Sequence, residues 1–299
     1  MAGKFLGVDV SKDALDVFDP ASGKHWRVAN EPAALRRFAR RAAGSGARVV
    51  LEATGGYDRP LTAALAAAGA EYARVNPARA RRFAEAAGLL AKTDRAEARM
   101  LARMGEALEL EADAPPDPAR RRLGALLRRR DQLVATRKRE LAAIQQEPEA
   151  DIRAEMRRLI ALLERRIASW EARIEALIAQ TPELAAAARR LRTAPGIGPV
   201  CAAALLAHLP ELGAIDRRAV ASLAGLAPVA RDSGRRRGAR RIGGGRSQIR
   251  RLLYLAALQA SRICPRFRAF KERLASAGKA PKQIHIAVAR RLLVALNAM

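Results

Sequence analysis

The sequence predicts an α/β layer first, then a helical hairpin, then a mostly helical C-terminal domain. Three observations carry this reading. Strand-like and helix-like stretches alternate from the N-terminus to about residue 113. The next 65 or so residues hold no strand signal, and apolar residues recur there at three- and four-residue steps. From Arg189 onward the helical pattern resumes, interrupted by a Gly- and Arg-rich stretch from Gly225 to Arg246. The domains expected are 1–113, 114–185 and 186–299.

In the first domain, Lys4–Val10 reads as a buried strand, Leu15–Phe18 as a second and Trp26–Ala29 as a third, joined by hairpin turns. A helix follows over Pro32–Ala43, with Leu35 and Phe38 inward and Arg36, Arg37, Arg40 and Arg41 toward water. Arg48–Glu52 and Glu71–Val75 read as strands, Arg59–Ala68 and Pro77–Ala87 as helices, giving a mixed sheet. Pro115, Pro116 and Pro118 mark the boundary. Beyond it, Leu123, Leu126, Leu133, Val134, Leu141 and Ile144 share one helical stripe. After Pro148 a second stripe runs from Ile152 through Met156, Leu159, Leu163, Ile167, Trp170 and Ile174 to Leu177. Two such stripes predict an antiparallel helical hairpin or coiled coil, serving as a spacer or a dimerisation element.

Composition points to a polyanionic partner. Lys and Arg number 56 against 30 Asp and Glu, a formal net charge of +26, and only 8 of the 56 are Lys. A GC-rich genome inflates Arg and Ala together, but it does not make basic residues outnumber acidic ones almost two to one. Phosphate contacts do reward such an excess, because each releases condensed counterions. Aromatic residues are only 4 % of the chain, so backbone and phosphate contacts should outweigh base stacking. Cys201 and Cys264 form no CxxC pair and read as reduced thiols. No signal-peptide pattern opens the chain, and its longest apolar run, Val200–Leu209, is too short to cross a bilayer. A cytoplasmic protein with no membrane association is expected.

Four acids stand where an RNase H-like fold would build a metal site. Asp9 is inside GVDVSKD near the end of the first strand, and Glu52 ends the strand of VVLEATGGY. Asp94 and Glu97 lie three residues apart on one helix face in KTDRAEARML. A carboxylate in an apolar strand loses solvation unless it is paired or binds a cation. Converging on one point, the four could hold Mg²⁺ or Mn²⁺, with water and phosphate oxygens completing the shell. Asp94 and Glu97 also fit a solvated helix, paired with Lys92, Arg95 or Arg99. Asp13, Asp16 and Asp58 read as turn or surface residues, and His25, His208 and His285 are scattered, with no catalytic role.

Two features of the C-terminal domain fit nucleic acid. The segment around APGIGPV reads as a helix–hairpin–helix, in which Gly196 and Gly198 let backbone N–H groups approach a phosphate. A plain αα turn has the same signature. Downstream, Arg231, Arg235, Arg236, Arg237, Arg240, Arg241, Arg246, Arg250 and Arg251 accompany a single acid, Asp232, with interleaved glycines that permit close backbone approach. Ser233 sits among these guanidinium groups, which could stabilise charge on an attacked phosphate. Residue types alone leave Ser233 an ordinary loop serine.

The blocks GVDVSKDALDV, LEATGGYDRPL, VNPARARRFAEAAGLLAKTDRAEARMLA, PGIGPVCAAALLAHL, LAGLAPVARDSG and RIGGGRSQIRRLLYLAAL, in this order, together with the closing KAPKQIHIAVARRLLVALNAM, resemble those of DEDD-type insertion-sequence transposases. The likeness spans nearly the whole chain outside the helical hairpin. It implies a RuvC-like RNase H domain, a coiled-coil insert and a C-terminal transposase domain. It also implies metal ligation by Asp9, Glu52, Asp94 and Glu97, and a serine nucleophile at Ser233. The fourth acid of the family is usually Asp, so Glu97 departs from the pattern by one methylene. The resemblance further implies a bridge RNA that selects target and donor DNA, strand exchange through a covalent phosphoserine, and an active site shared between subunits. The expected assembly is a dimer that becomes a tetramer on DNA, associated with the bacterial nucleoid. Two rival readings are a metal-only nuclease of the junction-resolvase kind and a nonenzymatic nucleic-acid-binding scaffold.

Overall fold

The computed structural model describes residues 5–53, 55–89, 93–114, 117–230, 232, 238 and 240–299. The chain forms two compact units, Met1–Pro116 and Asp117–Met299.

Unit 1 is built on a five-stranded sheet. Its strands are β1 (Phe5–Val10), β2 (Ala14–Asp19), β3 (Lys24–Ala29), β4 (Arg48–Glu52) and β5 (Tyr72–Val75), in spatial order β3-β2-β1-β4-β5. β1, β2 and β3 form an antiparallel meander, while β4 and β5 join β1 in parallel. Such a mixed sheet is compatible with an RNase H-like domain.

Strand alternation sends successive side chains to opposite faces. Leu6, Val8, Val10, Leu15, Val17, Val49 and Leu51 face α1 (Pro32–Ser45) and α2 (Asp58–Ala67), where Leu35, Phe38, Leu61 and Leu65 close the core. Phe5, Val50, Ala73 and Val75 pack on the opposite face, with Met100, Leu101 and Met104 of α4 (Asp94–Ala107) and Ala80 of α3 (Pro77–Ala86). Asp9 and Glu52 share the parity of Phe5 and Val50, and so belong to the α4 face.

Asp58 departs from the surface position expected of it. It is 2 % exposed and pairs with Arg74 at 3.2 Å, bridging the start of α2 to β5. A helix-terminal acid that reads as surface in isolation becomes buried when a guanidinium from the neighbouring strand compensates its charge.

Unit 2 opens with α5 (Pro118–Ala143), whose N-cap Asp117 accepts hydrogen bonds from the Ala119 and Arg120 amides. α6 (Ala150–Gln180) returns antiparallel to it. Arg130 pairs with Glu171 and Arg137 with Glu164, so partners descend one helix as they ascend the other. Leu133, Leu163 and Ile167 form a small core between these helices. Nearer the hairpin tip, Leu141 and Ile152 are 41 % and 44 % exposed.

The opposite end of the hairpin belongs to a larger core. Leu123, Leu126, Leu127, Ile174 and Ile178 pack there with α7 (Pro182–Arg192), α8 (Pro199–His208), α9 (Arg217–Leu223), α10 (Ser247–Ile263) and α12 (Pro281–Asn297). α11 (Pro265–Ser276) lies against this core through Phe267 and Phe270. A two-stranded ribbon of β6 (Pro228–Val229) and β7 (Arg241–Ile242) joins α9 to α10. Among the described residues no helix is long and apolar enough to cross a membrane.

Candidate active site

Gly7 determines where α4 sits. A Cβ at this position would overlap the Ala98 carbonyl oxygen and come within 2.6 Å of the Ala102 amide, so only glycine lets the helix backbone rest on β1. Gly105 makes a second close approach: a Cβ there would come within 2.7 Å of the Phe5 ring and 2.8 Å of the Val50 side chain. Phe5 thus lies beneath Gly105 and Gly7 beneath Ala98 and Ala102, so α4 runs antiparallel to β1. Its first turn, carrying Asp94 and Glu97, arrives over Asp9 at the strand's C-terminal end. Thr93 fixes that terminus by accepting a hydrogen bond from the Ala96 amide.

The electrostatics record this convergence. The Asp9 carboxyl is pushed up to about 6, first by burial and then by the negative charges of Glu97 and Asp94, with a smaller contribution from Asp16. The ion pairs of unit 1 are Arg27–Asp16, Arg48–Glu71 and Arg74–Asp58, and among the described residues none involves Asp9, Asp94 or Glu97. Arg99 instead lies over the Phe18 ring, 5.2 Å from its centroid, on the β2 side of the helix. The pairing of Asp94 and Glu97 with Arg95 or Arg99 that the sequence allowed is therefore not formed. Lys92 lies outside the described residues.

Glu52 joins the corner through the β1–β4 register. Val8 is opposite Leu51, so one further step places Asp9 beside Glu52 at the ends of parallel neighbours. All-oxygen donors of this kind suit a hard divalent cation. Even so, among the described residues no three His, Cys, Asp or Glu side chains stand close enough together to hold one. Asp9, Asp94 and Glu97 share a field without forming a ready-made ligand set.

Asp16, read from the sequence as a turn or surface residue, lies beside this corner. It is directly opposite Asp9 in the β1–β2 ladder, 17 % exposed, and 3.6 Å from the Arg27 guanidinium. The signal was present: the turn at Ser11–Asp13 pairs Val10 with Leu15, and one step back pairs Asp9 with Asp16.

In unit 2, Ser233 lies outside the described residues, as do Arg231, Arg235, Arg236 and Arg237. Their brackets are defined. Pro228 pairs with Ile242 and Val229 with Arg241. Asp232 accepts hydrogen bonds from the Gly238 amide at 3.1 Å and from Arg240 at 2.7 Å. The Arg240 bond holds the Asp232 carboxyl below its usual range.

Two of the arginines assigned to nucleic acid are engaged inside the fold. Arg246 forms a bidentate pair with Glu211, both bonds 2.6 Å, and also donates to the His208 carbonyl. That contact leads the causes holding Glu211 below its ordinary value. Arg250 donates to the Gly225 and Gly244 carbonyls. Arg240, Arg241 and Arg251 are exposed.

The glycines are likewise used internally. Gly225 and Gly245 both have positive φ, and a Cβ on either would overlap the backbone of the other strand of this crossing. Gly196, with φ of 82°, is turned to α10, where a Cβ would overlap the Ala256 carbonyl oxygen. Close approach at these positions therefore serves chain packing. Gly198, by contrast, is exposed at the N-cap of α8 with open space around it.

Comparisons with known proteins agree with this architecture. Residues 6–147 match a DEDD-type IS110 transposase domain, and residues 188–272 match the transposase IS116/IS110/IS902 family. The chain is 31 % identical over 256 residues to a pilin gene-inverting protein of Moraxella lacunata, covering 82 % of this chain and 77 % of that protein. It is 29 % identical over 311 aligned positions to the pilin gene-inverting protein of Moraxella bovis, covering 98 % and 94 %. An acid corner on a mixed sheet, a second domain matched independently, and relatives aligned over most of their length lead to one assignment: the chain belongs to the IS110-type DEDD transposase family and is a DNA-recombining enzyme.

Proposed function

We propose that this chain is an insertion-sequence transposase directed by a bridge RNA, which cuts and rejoins target and donor DNA through a phosphoserine at Ser233. A DEDD-type domain implies a divalent cation. Asp9, Glu52, Asp94 and Glu97 would hold it as Mg²⁺ or Mn²⁺, and when bound it would neutralise charge on the scissile phosphate. The observation that carries the reading is the Asp9 carboxyl, raised to about 6 by burial beside Glu97 and Asp94. Such repulsion favours binding of a cation, and binding would draw the four side chains inward.

In the proposed step the Ser233 hydroxyl oxygen bonds to phosphorus as a deoxyribose oxygen leaves. The serine proton passes to solvent or a carboxylate of the corner, and the departing oxygen takes a proton from solvent. The arginines flanking Ser233 would stabilise the added negative charge on phosphate. The relatives are named for gene inversion, which supports a reading of this chain as a strand-exchanging enzyme.

Three working segments are proposed: residues 1–113 for metal binding, 114–185 as a coiled coil joining subunits, and 186–299 for the serine and, through its helix–hairpin–helix, DNA backbone. Exposed Leu141 and Ile152 near the hairpin tip favour dimerisation over a pure spacer. The serine of one subunit would meet the acids of another within a DNA-bound tetramer, in the cytoplasm and on the nucleoid.

The test is a nicked or suicide DNA substrate given to protein co-purified with RNA transcribed from the flanks of its own element. A denaturant-resistant protein–DNA adduct mapping to Ser233, absent in Ser233→Ala, is expected. Free ends from the parent and unimpaired cutting by Ser233→Ala would overturn the serine mechanism and leave a metal-only nuclease. No cutting under any metal would leave a nonenzymatic scaffold.

A further inference from the structure

A strongly basic concavity of unit 2 takes in only Arg240 and Arg241 of the arginine run picked out by the sequence. It is a groove of about 1380 Å³ formed by α9, the β6–β7 ribbon, α10, α11 and α12. Eight of its eighteen lining residues are Lys or Arg and, among the described residues, none is Asp or Glu. The cations come from elements far apart in the chain: Arg217 and Arg218 on α9, Arg240 and Arg241 at the ribbon, Arg290 and Arg291 on α12. Lys279 and Lys282 add to them at the start of α12.

Its floor is of a different character. Tyr254 and Phe270 are half-buried in it, beside the aliphatic side chains of Leu274, Ile286 and Val294. Arg291 lies over the Phe270 ring, 4.6 Å from its centroid, and Arg273 lies 5.3 Å from the same centroid. Apolar and aromatic surface is thus set within a rim of positive charge.

We propose that this groove binds an unpaired nucleic-acid strand, with base faces against Tyr254 and against the guanidinium stacked on Phe270, and phosphates along the cationic rim. The proposal rests on the reading of the chain as a nucleic-acid recombinase and adds a site for one form of its substrate. Charge selects the occupant. A second copy of a chain carrying +26 would meet repulsion from eight cations, of which Arg240 alone is paired with a carboxylate, that of Asp232. Duplex nucleic acid satisfies the rim but keeps its base faces stacked, leaving the floor unused. An unpaired strand satisfies both, since every base presents a π-face and every linkage a charge. The ribbon that forms one wall flanks, in sequence, the segment bearing Ser233.

Two measurements test this on the full chain. Fluorescence anisotropy would follow binding of short oligo-dT, oligo-rU and a duplex of equal length across a salt series. In Arg218→Gln/Arg241→Gln/Arg291→Gln, single-strand affinity should fall at least about tenfold, and the salt slope should shrink by about 2, as three lost contacts at roughly 0.7 each require. Duplex affinity, which draws on the rim alone, should fall with the lost charges as well, whereas Tyr254→Leu should weaken the single strand and spare the duplex; the DNA and RNA arms show which strand is preferred. Independently, the unmodified protein would be photocrosslinked to 5-bromouracil-substituted strands of each kind. Adducts should map to Tyr254 or the Pro265–Ser276 segment and be lost in Tyr254→Leu.

Crosslinks confined to other regions, or a triple variant that binds single strands like the parent, would remove the groove as a strand site and leave the recombinase reading standing. Failure of the parent to bind any nucleic acid would sink both. Loss of self-association in place of strand binding would reassign the groove to a contact between copies.

Discussion

The acid corner of unit 1 and the arginine-rich end of unit 2 are both dense in charge, and they handle it in opposite ways. In the corner, Asp9 stands among carboxylates, with burial and the neighbouring Glu97 and Asp94 raising it to about 6. In unit 2, Glu211 is pulled below its ordinary value by the bidentate Arg246. Charge left uncompensated in a partly buried place is a disposition toward a ligand, whereas charge matched within the fold is a structural tie. Residue type does not separate the two cases. Arg246 and Arg250 look like nucleic-acid contacts in the sequence and prove to be ties, while Arg241 from the same run remains exposed.

The largest effect expected from this contrast is on chemistry. Asp9→Ala should abolish recombination, a loss of three or more orders of magnitude, while leaving RNA binding near normal because no positive charge is removed. Recombination of a paired target and donor, read beside an RNA gel-shift, checks this. Substantial activity in Asp9→Ala would strip the corner of its role. Glu97→Asp restores the acid usual in the family and should retain activity, which sharpens the same test.

Next in size are the close approaches that position each region. Gly7→Ala would drive a methyl group into the Ala98 carbonyl and lift the first turn of α4 from Asp9. Gly225→Ala would meet both a backbone overlap and a positive φ. Each should cost about 3 kcal/mol or more. Denaturant titration measures both, and mild effects would mean that these contacts are not what orders the site.

The tie itself predicts a smaller loss. Arg246→Ala should destabilise unit 2 by about 1–2 kcal/mol, limited because both partners are 35 % exposed. Arg251→Ala should fall within about 0.5 kcal/mol of the parent, as expected of an exposed side chain. Equal losses in the two variants would break the distinction between tie and free charge.

The finest prediction concerns pH, and the two carboxylates should differ in sign. Asp9 has a raised folded value, so in metal-free protein the stability it contributes is full below about pH 3.8 and is lost as pH rises through about 6. Asp9→Asn should therefore be more stable than the parent above pH 6, on the order of 1–2 kcal/mol after solvent screening, and equal to it below pH 4. Glu211 has a lowered folded value, so its contribution is present above about pH 4.5 and disappears as pH falls through the folded value. Thermal melts of Asp9→Asn and Arg246→Ala across pH 3–8 should diverge from the parent in opposite senses.

The elements of unit 1 were legible because their signals are local. The short apolar runs of FLGVDV and ALDVFD, the three-residue spacing of Leu35 and Phe38, and Pro32 and Pro77 at helix starts all act within one turn or one strand. The four acids could be proposed as a set because the strands and helix that carry them were legible. Asp16 was assigned to a turn or the surface although its register with Asp9 follows from the intervening turn, and Asp58 was placed outside because Arg74 belongs to a different strand. The eight-cation groove was beyond reach, since its walls come from α9 to α12 and no one stretch of sequence displays its charge.

The sequence by itself determined the order of elements, the charge excess, the candidate acids and the family. Tertiary structure alone decided which charges became a field and which became ties. Periodicity and turn chemistry are properties of neighbouring residues. A carboxylate's affinity for its proton, by contrast, depends on burial and on charges a few ångströms away, brought there by contacts such as α4 resting on Gly7.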